Sequence, residues 1–199
     1  MEVLTRAAPD HHGSVHSRRP GLRVGVGILC MFGAAVITRA QPPPTEYEIK
    51  AAFLYNFAKF VDWPAAAFSD SLAPFVIGIV GTDPFGPQID HALAGKTVHG
   101  RRLAVRRYAQ AALSGGCQLL FFGEADSTAL RRGLQSVAGS TVLTVGEADA
   151  FLDLGGAIRF VLESNKVRFE IDVSAAETAR LKISSKLLRL ARTLRGVEP

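Results

Sequence analysis

Three short apolar runs constrain this chain more than anything else in it: residues 75–80 (FVIGIV), 118–122 (QLLFF) and 141–145 (TVLTV). Each is too short for a typical helix and apolar almost without interruption, the pattern of a strand buried on both faces. Helical spacings separate them. Ile89, Ala92 and Leu93 follow the first run, and Leu130, Leu134 and Val137 lie on a helix over 126–137 after the second. A further helix is expected over 148–154, ending at Gly155-Gly156. Residues 96–108 read as extended, bent near Gly100, with Val98, Leu103 and Val105 on the apolar side. Buried strands alternating with helices predict an α/β fold: three layers, with a mostly parallel sheet flanked by helices.

Towards the C-terminus the pattern changes. Ile158, Phe160 and Leu162, then Val167, Phe169, Ile171 and Val173, alternate strictly around Glu163-Ser164-Asn165-Lys166. That predicts a C-terminal antiparallel hairpin with one buried face. A short helix over 174–180 and an extended Leu181-Lys182-Ile183 follow. The chain is expected to close on a helix capped by Ser184 or Ser185 and buried through Leu187, Leu190, Ala191 and Leu194. Ahead of the first strand, Thr45-x-x-Glu48 reads as a capping box. Behind it Ile49, Ala52, Phe53, Phe57, Phe60 and Val61 form one helical stripe, and Pro64 stops the helix. The aromatics Phe53, Tyr55, Phe57, Phe60 and Trp63 exceed what one buried face needs. Core packing and a partner surface both account for them.

The N-terminal segment has a different character. Residues 24–37 are apolar without a break, followed by Thr38-Arg39-Ala40. Arginines upstream, a short apolar core and a small-residue exit match a secretory signal, and 14 residues fall short of the ~20 that span a bilayer. Residues 1–40 are therefore expected to be a signal peptide cleaved near Ala40, 41–46 a Pro-rich linker and 47–195 the folded domain. Ser17-Arg18-Arg19 also resembles a twin-arginine export signal. Removing this segment changes the charge balance. It holds five Arg and two acids, so 23 basic and 18 acidic residues fall to 18 and 16. A nearly neutral domain gives no reason to expect nucleic-acid binding. Cys30 leaves with the signal, and Cys117 alone cannot build an internal disulfide framework.

No catalytic constellation stands out. Gly81-x4-Gly86 lies where a phosphate cradle would, but Pro87 and Gln88 stand where a P-loop carries Lys and Ser/Thr, so a turn opened by Asp83-Pro84 is expected. His91 and His99 fall on different elements without metal-ligand spacing, and no metal or cofactor is expected. Cys117 has no evident base partner and reads as a structural thiol. Lys186, Arg189, Arg192 and Arg195 recur every three residues along the closing helix as a basic face, either solvated or facing an anionic ligand or headgroups. Arg159, Arg168 and Glu170 share the polar face of the hairpin.

Several ordered blocks carry a family resemblance. Lys50-Ala51-Ala52-Phe53-Leu54-Tyr55-Asn56-Phe57-Ala58-Lys59-Phe60-Val61-Asp62-Trp63-Pro64 resembles the opening signature of the YfiR-like family. Gly81-Thr82-Asp83-Pro84-Phe85-Gly86, Gly95-Lys96-Thr97-Val98-x-Gly100-Arg101 and Thr144-Val145-Gly146 resemble it too. So do Val167-Arg168-Phe169-Glu170-Ile171 and Ile183-Ser184-Ser185-Lys186-Leu187-Leu188-x-Leu190-Ala191. The resemblance covers roughly residues 47–192. It implies a periplasmic, non-enzymatic α/β protein that represses a membrane-bound diguanylate cyclase by binding its periplasmic domain. Cyclic-di-GMP output and biofilm formation are thereby held down. It also implies a homodimer and redox control through disulfides. Here the chain departs from the family, because once Cys30 leaves with the signal Cys117 cannot form an intramolecular bridge, and only an intermolecular Cys117 bridge stays open.

Two readings stay open beside that of a repressor acting on a diguanylate cyclase or a sensor kinase. In the repressor reading, Tyr55, Trp63 and Phe68 form the partner-binding surface. The alternative is a periplasmic small-molecule sensor or solute-binding module, with Arg168, Glu170 and Lys186 holding a small anionic ligand. An enzyme is the least supported reading.

Overall fold

A computed structural model of the chain describes residues 43–123 and 126–196. The expected signal peptide over 1–40, its exit near Ala40 and Cys30 lie outside the described residues. Helix α1 (Glu46–Phe60) starts at the predicted capping box: Thr45 Oγ1 accepts from the Glu48 amide, and Glu48 accepts from the Thr45 amide. That contact holds the Glu48 carboxyl below its usual range. Strand β1 (Val61–Asp62) follows directly.

The expected apolar runs become β2 (Phe75–Gly81), β5 (Leu119–Gly123) and β6 (Leu143–Gly146), and the extended stretch becomes β3 (Thr97–Val98) and β4 (Arg101–Tyr108). The hairpin is β7 (Ile158–Glu163) and β8 (Lys166–Asp172). Its two-residue turn, Ser164 and Asn165, has φ of 48° and 60°, a mirror-image turn whose twist suits a hairpin. With β10 (Thr193–Arg195) these make an eight-stranded sheet in the order β10-β8-β7-β6-β5-β2-β4-β3. Strands β4, β2, β5, β6 and β7 are mutually parallel, and β8 turns antiparallel to β7. A separate antiparallel pair joins β1 to β9 (Lys182–Ile183).

This order winds the chain in two directions from β2. Right-handed crossovers that leave in opposite directions place their helices on opposite faces. Helix α2 (Gln88–Leu93) accordingly packs with α1 on one face, and α3 (Ser127–Ser136) packs on the other. Helices α4 (Val173–Thr178) and α5 (Ser185–Leu188) join the α1 side through Ala176 and Leu187. The three-layer, mostly parallel α/β fold with its antiparallel hairpin is thus the observed one. Phe57 anchors the α1 face, 5.6 Å from the Phe160 ring and 5.0 Å from Phe169. Such ring pairs contribute about 0.5–1.5 kcal/mol each beyond the area they bury.

Three local expectations need correction. The buried stripe of α1 is Lys50, Ala51, Leu54, Phe57 and Ala58, continuing to Val61. Ile49 is half-buried and Ala52 exposed, so the stripe is rotated by about one position, and a lysine stands within it. Residues 148–154 form turns instead of a helix, because Phe151 plugs the space beside Gly146 and Gly156. A Cβ at Gly156 would lie 2.1 Å from that ring, so the segment is pinned after one turn. The closing helix is the largest difference. Only α5 is helical; the Arg192 amide then donates to the Phe169 carbonyl at 2.8 Å, and β10 runs parallel beside β8. The edge of β8 offers backbone partners that a longer helix would forgo. Leu190 and Leu194 are consequently 60% and 40% exposed, and Lys186, Arg189, Arg192 and Arg195 share no helical face.

The tightest backbone approach joins the loop after β2 to the end of β5. A Cβ at Gly123 would lie 1.8 Å from the Thr82 carbonyl oxygen, and a backbone atom cannot rotate away as a side chain can. Gly123→Ala is expected to destabilise the protein by about 2–3 kcal/mol, read as a lower urea midpoint at unchanged slope.

Candidate functional site

In a doubly wound sheet, ligands usually sit outside the carboxyl ends of the strands where the winding reverses, here between β2 and β5. The chain fills that place itself. Asp83 Oδ1 accepts the amides of Phe85 (2.8 Å) and Gly86 (3.1 Å), the groups that would cradle a phosphate. Arg107 then donates to Asp83 at 2.7 Å, to Asp90 at 2.7 Å and to the Gly86 carbonyl at 2.8 Å. These partners raise the Arg107 pKa still further, the Asp90 hydrogen bond most. The Gly81–Gly86 segment is therefore a self-satisfied turn, as its sequence suggests.

Beside it lies a buried charge that sequence reasoning missed. Lys50 is 3% exposed on the inner face of α1. Its ammonium donates to Glu46, one turn earlier, and lies 2.9 Å from Glu147 at the end of β6. The same ammonium stands 4.6 Å over the Tyr47 ring, which packs edge-on against Phe85. Burial works to depress the Lys50 pKa, but the two carboxylates outweigh it and the net shift is upward. Burial, and then the Glu147 charge, push the Tyr47 phenol up as well. The missed signal was a lysine spaced with Ala51, Leu54 and Phe57 and preceded by Glu at i−4.

The amino-terminal end of the sheet is organised differently. After α1 the chain turns at Pro64, passes through a 3-10 turn at Ala65–Ala67 and enters β2. Trp63 is half-buried: its Nε1 donates to the Ala58 carbonyl at 3.0 Å, satisfying one helix-end acceptor, and its ring meets Phe75 edge-on at 5.0 Å. Phe68 packs against the same core, and the Arg101 guanidinium lies 3.8 Å over its ring. Arg101 also donates to the carbonyls of Asp70 (2.9 Å) and Ala73 (2.7 Å). Asp70 accepts the Leu72 amide at 2.8 Å, which holds its carboxyl below the usual range. The result is a fixed loop displaying Leu72, which is 90% exposed. Trp63, Phe68, Asp62, Ala65, His99 and Arg101 line one open pocket of about 340 Å³.

Beneath this region, buried Gln118 ties strand to loop. Its Oε1 accepts the Val76 amide at 2.8 Å, and its Nε2 donates to the Ala67 carbonyl at 2.5 Å. The structure thus brings Trp63 and Phe68 together. Tyr55 joins them one step away, its hydroxyl donating to the Thr97 carbonyl at 3.2 Å on the hairpin that carries His99 and Arg101. The aromatic surplus of α1 divides accordingly: Phe53 and Phe57 stack on the hairpin core, while Tyr55, Phe60 and Trp63 border this surface.

Lys186 is placed apart from Arg168 and Glu170. Glu170 is 6% exposed on the hairpin face turned away from α1, 2.7 Å from Arg159 and 3.6 Å from Arg192. Arg168 shares that face on the exposed side of β8. Lys186 lies across the sheet, 5.5 Å over the Phe60 ring. Arg159, Glu170 and Arg192 together fasten the hairpin to the segment leading into β10. Among the described residues no group of three or more His, Cys, Asp or Glu side chains could hold a metal ion.

A YfiR/HmsC-like (DUF4154) family model matches residues 47–192, nearly the whole described domain. The chain belongs to the YfiR/HmsC-like family. Members of this family are regulatory proteins of the periplasm. A crystal structure of a conserved domain protein from Vibrio cholerae O1 biovar El Tor str. N16961 is similar to this chain, with a TM-score of 0.53 at 12% identity. The match covers 76% of this chain and 60% of that one, and at this identity it shows the fold alone. No curated protein matches the sequence. No helix among the described residues is long and apolar enough to cross a membrane.

The redox behaviour expected from the YfiR-like resemblance meets an obstacle in Cys117. The thiol is buried, its Sγ 2.8 Å from the Leu119 carbonyl, and burial pushes its pKa up to about 12. Cys117 should resist a thiol-selective reagent in native buffer, react fully in denaturant and give no dimer on non-reducing gels. Rapid native labelling would contradict its burial. For the buried lysine, Lys50→Ala should cost about 2–3 kcal/mol, because it leaves Glu147 partly buried and unpaired. Since the Lys50 pKa is raised, its contribution is complete at all pH below its unfolded-state value. It is lost only as pH climbs through the folded-state value, so the deficit in urea unfolding should be equal at pH 7 and pH 8.5.

Proposed function

We propose that this protein is an exported regulatory binding protein that represses a membrane-bound diguanylate cyclase by docking on its periplasmic domain. Family membership supports the regulatory and periplasmic parts of the reading. The observation that carries the docking part is the pocket between Trp63 and Phe68 with Leu72 projecting beside it on a loop fixed by Arg101. Half-buried aromatic rings around a preformed pocket are the anchor chemistry of protein interfaces, because they present large apolar area at little entropic cost. The opposite end of the sheet, where small ligands usually bind, is occupied by the protein's own Asp83 and Arg107.

The test is co-purification of the tagged, processed protein with the diguanylate cyclase from its native envelope, together with cellular cyclic-di-GMP. Deleting the protein should raise cyclic-di-GMP. Leu72→Asp, which touches no core, should reduce co-purification at least ten-fold and mimic the deletion, as should Tyr55→Ala and Phe68→Ala. Unchanged co-purification in all three, with normal melting temperatures, would place the interface elsewhere.

A further inference from the structure

The charges around this surface include a group of exposed lysines with no described carboxylate beside them. Several cations elsewhere are matched by carboxylates, Lys50 with Glu46 and Glu147, Arg107 with Asp83 and Asp90, Arg159 with Glu170 and Arg195 with Asp153, while others such as Arg106 and Lys166 stand alone among the described residues. At the amino-terminal end of the sheet four unmatched lysines come together. Lys59 and Lys96 stand 5.4 Å and 4.8 Å over the Tyr55 ring, and Lys186 stands 5.5 Å over Phe60. Lys182 lies opposite Asp62 in the β1–β9 pair. No described carboxylate comes within 4.0 Å of these four lysines, all of them exposed. Arg101 adds a fifth cation, with Asp62 lining the same pocket and Asp70 on the adjoining loop.

The elements that carry them form one continuous face. Tyr55 reaches Thr97; the following turn brings His99 and Arg101 to the pocket of Trp63, Phe68 and Asp62; Asp62 lies opposite Lys182; and the Ser184 amide, two residues on, donates to the Phe60 carbonyl at 2.9 Å. Aromatic rings beneath ammonium groups keep those cations at fixed positions without neutralising them. A surplus of exposed charge of one sign around an apolar pocket raises the local concentration of an oppositely charged partner and speeds its encounter.

We infer that the segment of the partner protein seated on this face is acidic, carrying Asp or Glu side chains to Lys59, Lys96, Lys182 and Lys186 around an apolar residue that enters the Trp63–Phe68 pocket. The inference rests on the docking surface proposed above and adds the chemistry of what docks there. An acidic protein segment fits better than a lipid surface. The pocket is concave and bordered by the Trp63 and Phe68 rings, as an anchoring side chain needs.

The test measures binding of the purified processed protein to the detergent-solubilised diguanylate cyclase at 50, 150 and 500 mM NaCl. The wild type should weaken at least ten-fold across this range, mainly through slower association. The Lys59→Glu/Lys96→Glu double variant should weaken binding at least ten-fold at 50 mM NaCl and flatten the salt dependence. Lys59→Gln/Lys96→Gln should fall between it and the wild type. Both changes lie on exposed side chains, and unchanged thermal melting confirms folding. If Leu72→Asp abolishes binding but the lysine reversal does not weaken it, the surface stands and the acidic partner is overturned. If neither variant weakens binding, the docking surface itself is overturned. Vesicles containing 30% phosphatidylglycerol supply the remaining arm. Capture that the lysine reversal abolishes, with the protein complex left intact, would assign the face to a membrane and overturn the inference.

Discussion

Strand β2 must be covered on both faces, and most of the architecture follows from that requirement. Residues Phe75 to Val80 are all buried, so neither face can meet water and two layers of other elements must close over them. On one side the cover is α1, joined by α2 and the short C-terminal helices. On the other it is α3, with Phe151 and Leu152 from the turns after β6. Space is so limited at Gly78 that a Cβ there would come within 3 Å of Leu120, Cys117 and Tyr108. The burial of Cys117, and with it the inertness of its thiol, is a by-product of packing on β2.

Because α1 is the main cover of one face, both ends of the sheet inherit their character from it. Its first turn carries Tyr47 and Lys50 to the carboxyl ends of the parallel strands, where the lysine is neutralised by Glu46 and Glu147. Its last turns carry Tyr55, Phe60 and then Trp63 to the opposite end, where cations lie over the rings and no carboxylate answers most of them. One end of the molecule is chemically closed and the other is open. A regulator that works by contact needs the second kind of surface, and the family to which the chain belongs makes such a role coherent. Because the Cys117 thiol is buried, release of a docked partner would have to operate without a disulfide from Cys117.

Much of this could be read before any coordinates. The three apolar runs, the capping box at Thr45 and Glu48, and the alternating hairpin each carry a strong local period, and each became the expected element. The failures share one cause. Residues 189–195 have helical spacing, yet the open edge of β8 captured their backbone; residues 148–154 have it too, yet Phe151 found a slot between two glycines. Lys50 was passed over because a charged residue reads as solvent-facing until its partner is known, and Glu147 lies 97 positions away. Trp63 was visible as aromatic surplus and Phe68 as part of the expected partner surface, but their neighbours His99 and Arg101 arrive from the β3–β4 hairpin.

The sequence by itself determined the class of fold, the strands that had to be central and the family, because these depend on patterns within a dozen residues or on ordered blocks along the chain. It also determined that only one cysteine remains in the domain. Tertiary structure alone decided which strand lies at the edge, how the α1 stripe is rotated, that Asp83 occupies its own anion cradle and that Lys59 and Lys96 meet over the Tyr55 ring. Those outcomes depend on backbone edges, cavities and charges contributed by distant segments. Local periodicity carries no information about such meetings, since their free energy exists only once the layers have packed.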